Sequence, residues 1–175
     1  TGASTDFPNG QRYDCDGLDP FQLDLGMSEV TGVSGTAADD VWAVLRQPTF
    51  QVYRFDGSAW SLATDPVVDQ PLHDVWATAS GHVWAVGEQG SIFHWTWTDE
   101  SRNVDGTFYG VWAAETGQVL AVGEAGLAFF FDGEAWIEQT PGTVEDLRDV
   151  WGASVSEVFV VGRNSIFRFV GPDRP

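Results

Sequence analysis

The strongest constraint on the fold of this chain is a segment of about forty residues that occurs four times. Near its start every copy has a valine, and a second valine follows eight positions later. The leading valines are Val33, Val75, Val111 and Val150, which lie 42, 36 and 39 residues apart. A spacing that recurs four times indicates four copies of one structural unit.

The letters of each copy predict short strands separated by turns. The order is VWA, then VWAVG, then a stretch such as SIFHW or QVYRF, and a final strand follows the turn in FDGSAW or FDGEAW. Asp-Gly favours a tight bend between two strands. Both alternating sets of VWAVG are apolar, which indicates a strand covered on both faces. Sheets stacked face to face around an axis provide this cover, so we expect an all-β, four-bladed β-propeller.

The two ends of the chain suggest how the last blade is completed. The fourth copy stops after its third strand and has no DGxxW segment, whereas YDCDGLDPFQLDL near the N-terminus resembles the missing piece. We predict that a strand near residues 20–25 closes the last blade and removes an exposed sheet edge. The propeller then spans 13–171, with a flexible leader at 1–12 and a tail at 172–175.

Closure by its own N-terminal strand favours a monomer over a dimer. The alternative is an open half-ring of four blades, which pairs with a second chain to give eight blades. The sequence leaves both arrangements open.

Charge excludes several classes of partner. The chain has 26 Asp and Glu, eight Arg and no Lys, which gives a formal net charge of −18. Such a surface repels nucleic acid and anionic membranes. No apolar run approaches the ~20 residues of a membrane span, so membrane insertion is not expected. The sequence begins at Thr1 without Met, and we expect a removed targeting segment and an extracytoplasmic location, whether secreted, periplasmic or surface-anchored.

The repeat DVWAVGEQGSIFHW, together with FDGEAW, is similar to the short-repeat bacterial β-propellers whose blades follow the pattern DVWAVGxxGxIxxxDGxxW, and more distantly to the Asp-box repeat. The resemblance covers about 28–171 and the closing strand. It implies a propeller that serves as an extracytoplasmic module.

Candidate ligand-binding residues lie where propellers usually bind, on the side formed by the loops after second and fourth strands. The position after the second strand carries Arg46, Glu88, Glu124 and Arg163 in the four copies. These residues predict two ion pairs, Arg46 with Glu88 and Glu124 with Arg163, around a rim. Trp97 stands outside the repeated tryptophan positions and is the candidate for an exposed aromatic residue that stacks on a ligand.

The residue before the leading valine is Gly32, Asp74, Gly110 and Asp149 in turn. Asp therefore occurs in the second and fourth copies, on strands that we expect to line the channel. Two facing carboxylates favour a bound cation, and Ca²⁺ or Na⁺ suits oxygen ligands. The alternative is that both carboxylates accept hydrogen bonds from loop amides. No other cofactor is indicated.

No catalytic motif is recognisable in the sequence, and His73, His82 and His94 lack the spacing of a zinc site. The lone cysteine, Cys15, lies between two Asp residues that disfavour a reactive thiolate. We therefore expect a non-catalytic binding module for protein partners. The alternatives are a carbohydrate-binding lectin, and a hydrolase or lactonase with a cation in the channel.

Overall fold

Four antiparallel sheets, called blades 1 to 4, follow one another along the chain. The structure is a computed structural model that describes residues 29–46, 51–63, 70–95 and 98–171. The strands are β1 (Val30–Ala37), β2 (Asp40–Leu45), β3 (Val52–Phe55) and β4 (Trp60–Leu62) in blade 1, β5 (Leu72–Ala77), β6 (Val83–Gly87), β7 (Ile92–His94) and β8 (Thr98–Asp99) in blade 2, β9 (Phe108–Ala113), β10 (Val119–Gly123), β11 (Ala128–Phe131) and β12 (Trp136–Glu138) in blade 3, and β13 (Leu147–Ser154), β14 (Glu157–Gly162) and β15 (Ile166–Phe169) in blade 4.

The predicted all-β propeller blades are confirmed, with one sheet for each copy of the repeat. Blades 1 to 3 have four strands each, and blade 4 has three among the described residues. The closing strand predicted near residues 20–25 lies outside the described residues, as do Cys15, the leader at 1–12 and the tail at 172–175. None of the described residues forms a helix long and apolar enough to span a membrane.

The Asp-Gly turns form as the sequence predicts. In blade 3, the carboxylate of Asp132 accepts hydrogen bonds from the backbone N–H groups of Glu134 and Ala135, both at 2.9 Å. Gly133 follows with a φ of 107°, a left-handed conformation that favours glycine. The Asp side chain thus fixes the turn that leads into the fourth strand.

The sheets stack face to face, with their first strands side by side. Strand β1 packs beside β5, β5 beside β9, and β9 beside β13. Each of three apolar clusters lies chiefly between two neighbouring blades. For example, Trp112 and Leu120 of blade 3 pack with Val150 and Val158 of blade 4. First strands are therefore the innermost strands of the arrangement.

The stack is open at both ends in the described part of the chain. The leading valine is at most 3% exposed in blades 2, 3 and 4, but Val33 of blade 1 is 67% exposed. At the third-strand position, Val52 and Ile92 are fully buried, whereas Ile166 of blade 4 is 75% exposed. Repeat positions that are buried between two neighbouring blades are therefore exposed at the two ends of the stack.

We call these two surfaces the leading face and the trailing face. The leading face belongs to blade 1 and includes Val30 and Val33. The trailing face belongs to blade 4 and includes Trp151, Phe159, Val161 and Ile166, all between 36% and 75% exposed. Trp151 occupies the repeat position of the buried Trp112, but it is 55% exposed because no described blade covers it.

Glycine is needed at the end of the second strand, where β10 meets the segment before β9. A Cβ added to Gly123 would lie 2.0 Å from the backbone oxygen of Thr107. We expect Gly123→Ala to lower the free energy of unfolding by about 3 kcal/mol, because backbone must move to admit the methyl group. Urea denaturation followed by circular dichroism measures this change.

Gly106→Ala is the matched control for that experiment. A Cβ at Gly106 would meet its nearest neighbour, the Leu127 Cδ2 atom, at an ordinary 3.4 Å. We expect the free energy of unfolding to change by less than about 0.5 kcal/mol in this variant. Equal effects of the two substitutions would show that the close approach at Gly123 is not present in solution.

Candidate functional site

The upper side of the stack, formed by the loops after second and fourth strands, has a polar mouth. We call it the upper mouth. Its inner residues occupy one repeat position at the upper ends of the first strands, and they are Thr31, His73, Tyr109 and Arg148. Its outer residues are the four rim residues that the sequence identifies, Arg46, Glu88, Glu124 and Arg163, each of which directly follows a second strand.

The rim residues take part in ion pairs, one of which matches the sequence prediction. The Arg46 Nη2 atom lies 3.2 Å from Glu88 Oε1, so this predicted pair is confirmed. Arg163 pairs with Asp146 at 3.3 Å, rather than with Glu124. Arg148 contacts the same Asp146 oxygen at 3.0 Å. Asp146 precedes the first strand of blade 4, and the repeat alignment gave no signal for its role.

Aromatic and charged groups meet at the inner positions of the upper mouth. The rings of His73 and Tyr109 are in edge contact at 5.5 Å, and the Arg148 guanidinium lies 5.7 Å from the Tyr109 ring centre. Burial lowers the pKa of His73, and the nearby charge of Arg46 lowers it further against the opposing effect of Glu88. Burial, with Glu124 and Asp146 nearby, raises the pKa of Tyr109. Both rings are therefore uncharged near neutral pH.

Asp74 joins two blades through backbone hydrogen bonds. Its Oδ1 atom accepts the N–H of Val75 at 2.8 Å, and its Oδ2 atom accepts the N–H of Val111 in the next blade at 2.9 Å. Asp149 likewise accepts the N–H of Val150 at 2.8 Å. These bonds account for both oxygens of Asp74 without a metal ion. A Ca²⁺ or Na⁺ ion between Asp74 and Asp149 stays a prediction.

The alternation of Gly and Asp at this position has a packing reason. A Cβ on Gly32 would lie 2.9 Å from the Asp74 Cα atom, and one on Gly110 would lie 3.0 Å from the Asp149 Cα atom. Glycine therefore allows blade 1 to approach blade 2, and blade 3 to approach blade 4. Between blades 2 and 3 the strands are instead bridged by the Asp74 carboxylate.

A cavity lies on the opposite side of the stack, and we call it the lower cleft. It has a volume of about 740 Å³ and is lined in part by Trp76, Trp112 and Phe130. Gly152 makes room for this arrangement, because a Cβ there would lie 2.8 Å from the Trp112 indole. The repeat has Ala at this position in blades 2 and 3 and Gly in blades 1 and 4, so this position alone does not indicate the cleft.

All charged residues that line the described lower cleft are acidic. They are Glu115, from the turn between β9 and β10, and Asp132. The Glu115 carboxylate accepts the N–H groups of Ala79 and Ser80 in blade 2, both at 2.9 Å. These hydrogen bonds lower the pKa of Glu115, so the group remains ionised at neutral pH. The cleft therefore has a negative potential beside aromatic walls.

Two of the three histidines contact each other in blade 2, which their spacing in the sequence does not predict. His82 Nδ1 lies 2.9 Å from His94 Nε2, and His94 stacks on Trp84 with ring centres 4.0 Å apart. Strands β6 and β7 pair antiparallel and bring the two rings together. Among the described residues, no group of three or more His, Cys, Asp or Glu is placed to hold a metal ion. Trp97 lies outside the described residues.

Comparison with solved structures places the fold among β-propellers. A streptogramin B lyase superposes with a TM-score of 0.72 at 15% identity, over 86% of this chain and 54% of the lyase. YCF48 bound to a D1 peptide superposes with a TM-score of 0.59 at 18% identity, over 83% of this chain and 50% of YCF48. The computationally designed protein Ika4 gives 0.68 at 11% identity, over 87% of this chain and 98% of Ika4.

These identities show a shared fold and nothing finer. No protein-family model and no curated protein matches the chain. The chain spans about half the length of YCF48 and of the lyase. The chain therefore contains four β-propeller blades, and similar blades occur both in a lyase and in a protein that was solved with a bound peptide.

Asp74 makes the stability of the folded chain fall as the pH rises. Burial raises its pKa to about 6 from a usual 3.8, and the charge of Asp149 adds to the rise. The folded state therefore binds this proton more tightly than the unfolded state, and stability falls as pH rises through this window. From about pH 4 to about pH 7 we expect the wild-type chain to lose up to about 3 kcal/mol relative to Asp74→Asn.

Unfolding both proteins in urea at several pH values measures this difference. The comparison removes the effect of the other carboxylates, because they are common to the two chains. A stability difference that stays constant over the window, or grows in favour of the wild type, would contradict the raised pKa.

Proposed function

We propose that this protein is a non-catalytic binding module for protein partners, and that the lower cleft holds a basic, partly apolar segment of the partner. The single observation that carries the proposal is the lower cleft itself, whose aromatic wall lies beside two carboxylates. A volume of about 740 Å³ lies in the range of ligand-binding pockets. A Lys or Arg side chain with apolar neighbours complements both features of this surface.

The charge of the whole protein supports a basic partner. A net charge of −18 attracts cationic segments from a distance and speeds their encounter with the cleft. The contact within the cleft then supplies specificity, because the ligand's cation must lie close to Glu115 and Asp132. The peptide bound to YCF48 shows that a protein with similar blades can bind a peptide.

The hydrogen bonding of the cleft carboxylates supports a binding role over a catalytic one. Glu115 and Asp132 each accept two backbone N–H groups. The pKa of Glu115 is lowered by these hydrogen bonds, so Glu115 serves as a fixed negative charge, whereas a general acid needs a pKa close to the working pH. The similarity of the repeat to extracytoplasmic bacterial modules supports a location outside the cytoplasm as part of the same proposal.

Placing a positive charge in the lower cleft tests the proposal. The probe is a short fluorescein-labelled peptide that alternates Lys and Leu, and fluorescence polarisation reports its binding. Thr116 lines the cleft and is exposed. We expect Thr116→Lys to weaken binding about tenfold, because the new ammonium group repels the peptide at the cleft and competes for its carboxylates.

Thr140→Lys is the matched control, since it adds the same charge at an exposed position after β12, on the upper side. We expect its affinity to stay within about twofold of wild type. Equal losses in the two variants would show that the peptide responds to net charge alone, and the cleft would not be the site. Equally tight binding of a peptide that alternates Glu and Leu would also reject the proposal.

A further inference from the structure

The exposed ends of the stack identify an interaction surface that is separate from the lower cleft. We propose that the trailing face of blade 4 docks on the leading face of a second copy of this chain. Two copies then form one closed ring of eight blades, with two equivalent contacts related by a twofold axis along the channel.

The repeat itself shows what covers the trailing face. In blades 1 to 3 the residues at these positions pack against the next blade of the chain. Residues Trp42, Trp84 and Leu120 are at most 3% exposed, but Phe159 at the same position is 42% exposed. A surface with the pattern of an inter-blade face is complementary to the opposite face of a blade. Blade 1 presents such a face, and its Val30 and Val33 are uncovered.

A polar contact supports the same arrangement. Asp149 holds the N–H of Val150 as Asp74 holds that of Val75, with equal distances of 2.8 Å. The second oxygen of Asp74 accepts the N–H of the leading valine in the next blade. No described residue donates to the second oxygen of Asp149. In the ring of two copies, the leading valine beside Asp149 is the second copy's Val33.

Sedimentation equilibrium of the 175-residue chain tests the proposal. We expect a mass of twice 19.1 kDa. We expect the dissociation constant of the dimer to fall as salt is added. Salt screens the repulsion between copies that each have a charge of −18, while the apolar contact between the docking faces remains. A monomer at micromolar concentration would overturn the proposal, as would a mass above that of two copies or a dimer that dissociates more readily in salt.

Ile166→Asp places a charge on the trailing face, and we expect the dissociation constant to rise on the order of a hundredfold. Val144→Asp is the matched control, since Val144 is 88% exposed and lies between β12 and β13 on the upper side. We expect this control to remain a dimer. A dimer in both variants would overturn the proposed interface, provided that far-UV circular dichroism shows both variants folded.

Discussion

Face-to-face packing between neighbouring blades is the interaction on which the rest of this structure depends. A single blade of three or four short strands cannot bury both of its apolar faces. Trp112 shows this dependence. It is 2% exposed because blade 4 packs against blade 3 at this position. Burial of such a side chain contributes about 1.5–3 kcal/mol. Trp151 has less of that contribution, because it is 55% exposed and no blade among the described residues covers it.

The innermost strands determine how closely the blades approach. Gly32 and Gly110 allow a close backbone approach to the next blade, while Asp74 bridges blades 2 and 3 with its carboxylate. The two kinds of junction alternate along the chain. Lengthening or charging a side chain at this level therefore changes the spacing of two blades at once, and with it the shape of the upper mouth and the lower cleft.

Much of the fold follows from the sequence, because it rests on local signals that are repeated. Strand order, the Asp-Gly turn at Asp132 and the apolar second strands all reflect alternation and turn chemistry. The ion pair of Arg46 and Glu88 can also be predicted from the sequence, since it needs only the correct alignment of two copies. The exposure of Trp151 cannot be predicted, because a repeated motif does not show whether a neighbouring blade is present.

Less of the candidate site can be predicted from the sequence. The lower cleft depends on how first strands from three blades converge, which no single residue of the repeat indicates. Asp146 pairs with both Arg148 and Arg163 through the conformation of a loop. The contact between His82 and His94 depends on the register of β6 and β7. Distances across strands and loops of this kind are tertiary properties, which periodicity alone does not predict.

Hydrogen exchange tests whether each blade is protected by its neighbours. Strand β10 lies between two blades, whereas one face of β14 is not covered by any blade in the part of the chain that the structure describes. We expect slow exchange of β10 amides in both the wild-type chain and the Ile166→Asp variant, and faster exchange of β14 amides in the variant. Equal protection of β14 and β10 in the variant would contradict the account, because a strand would then be stable without a blade on its second face.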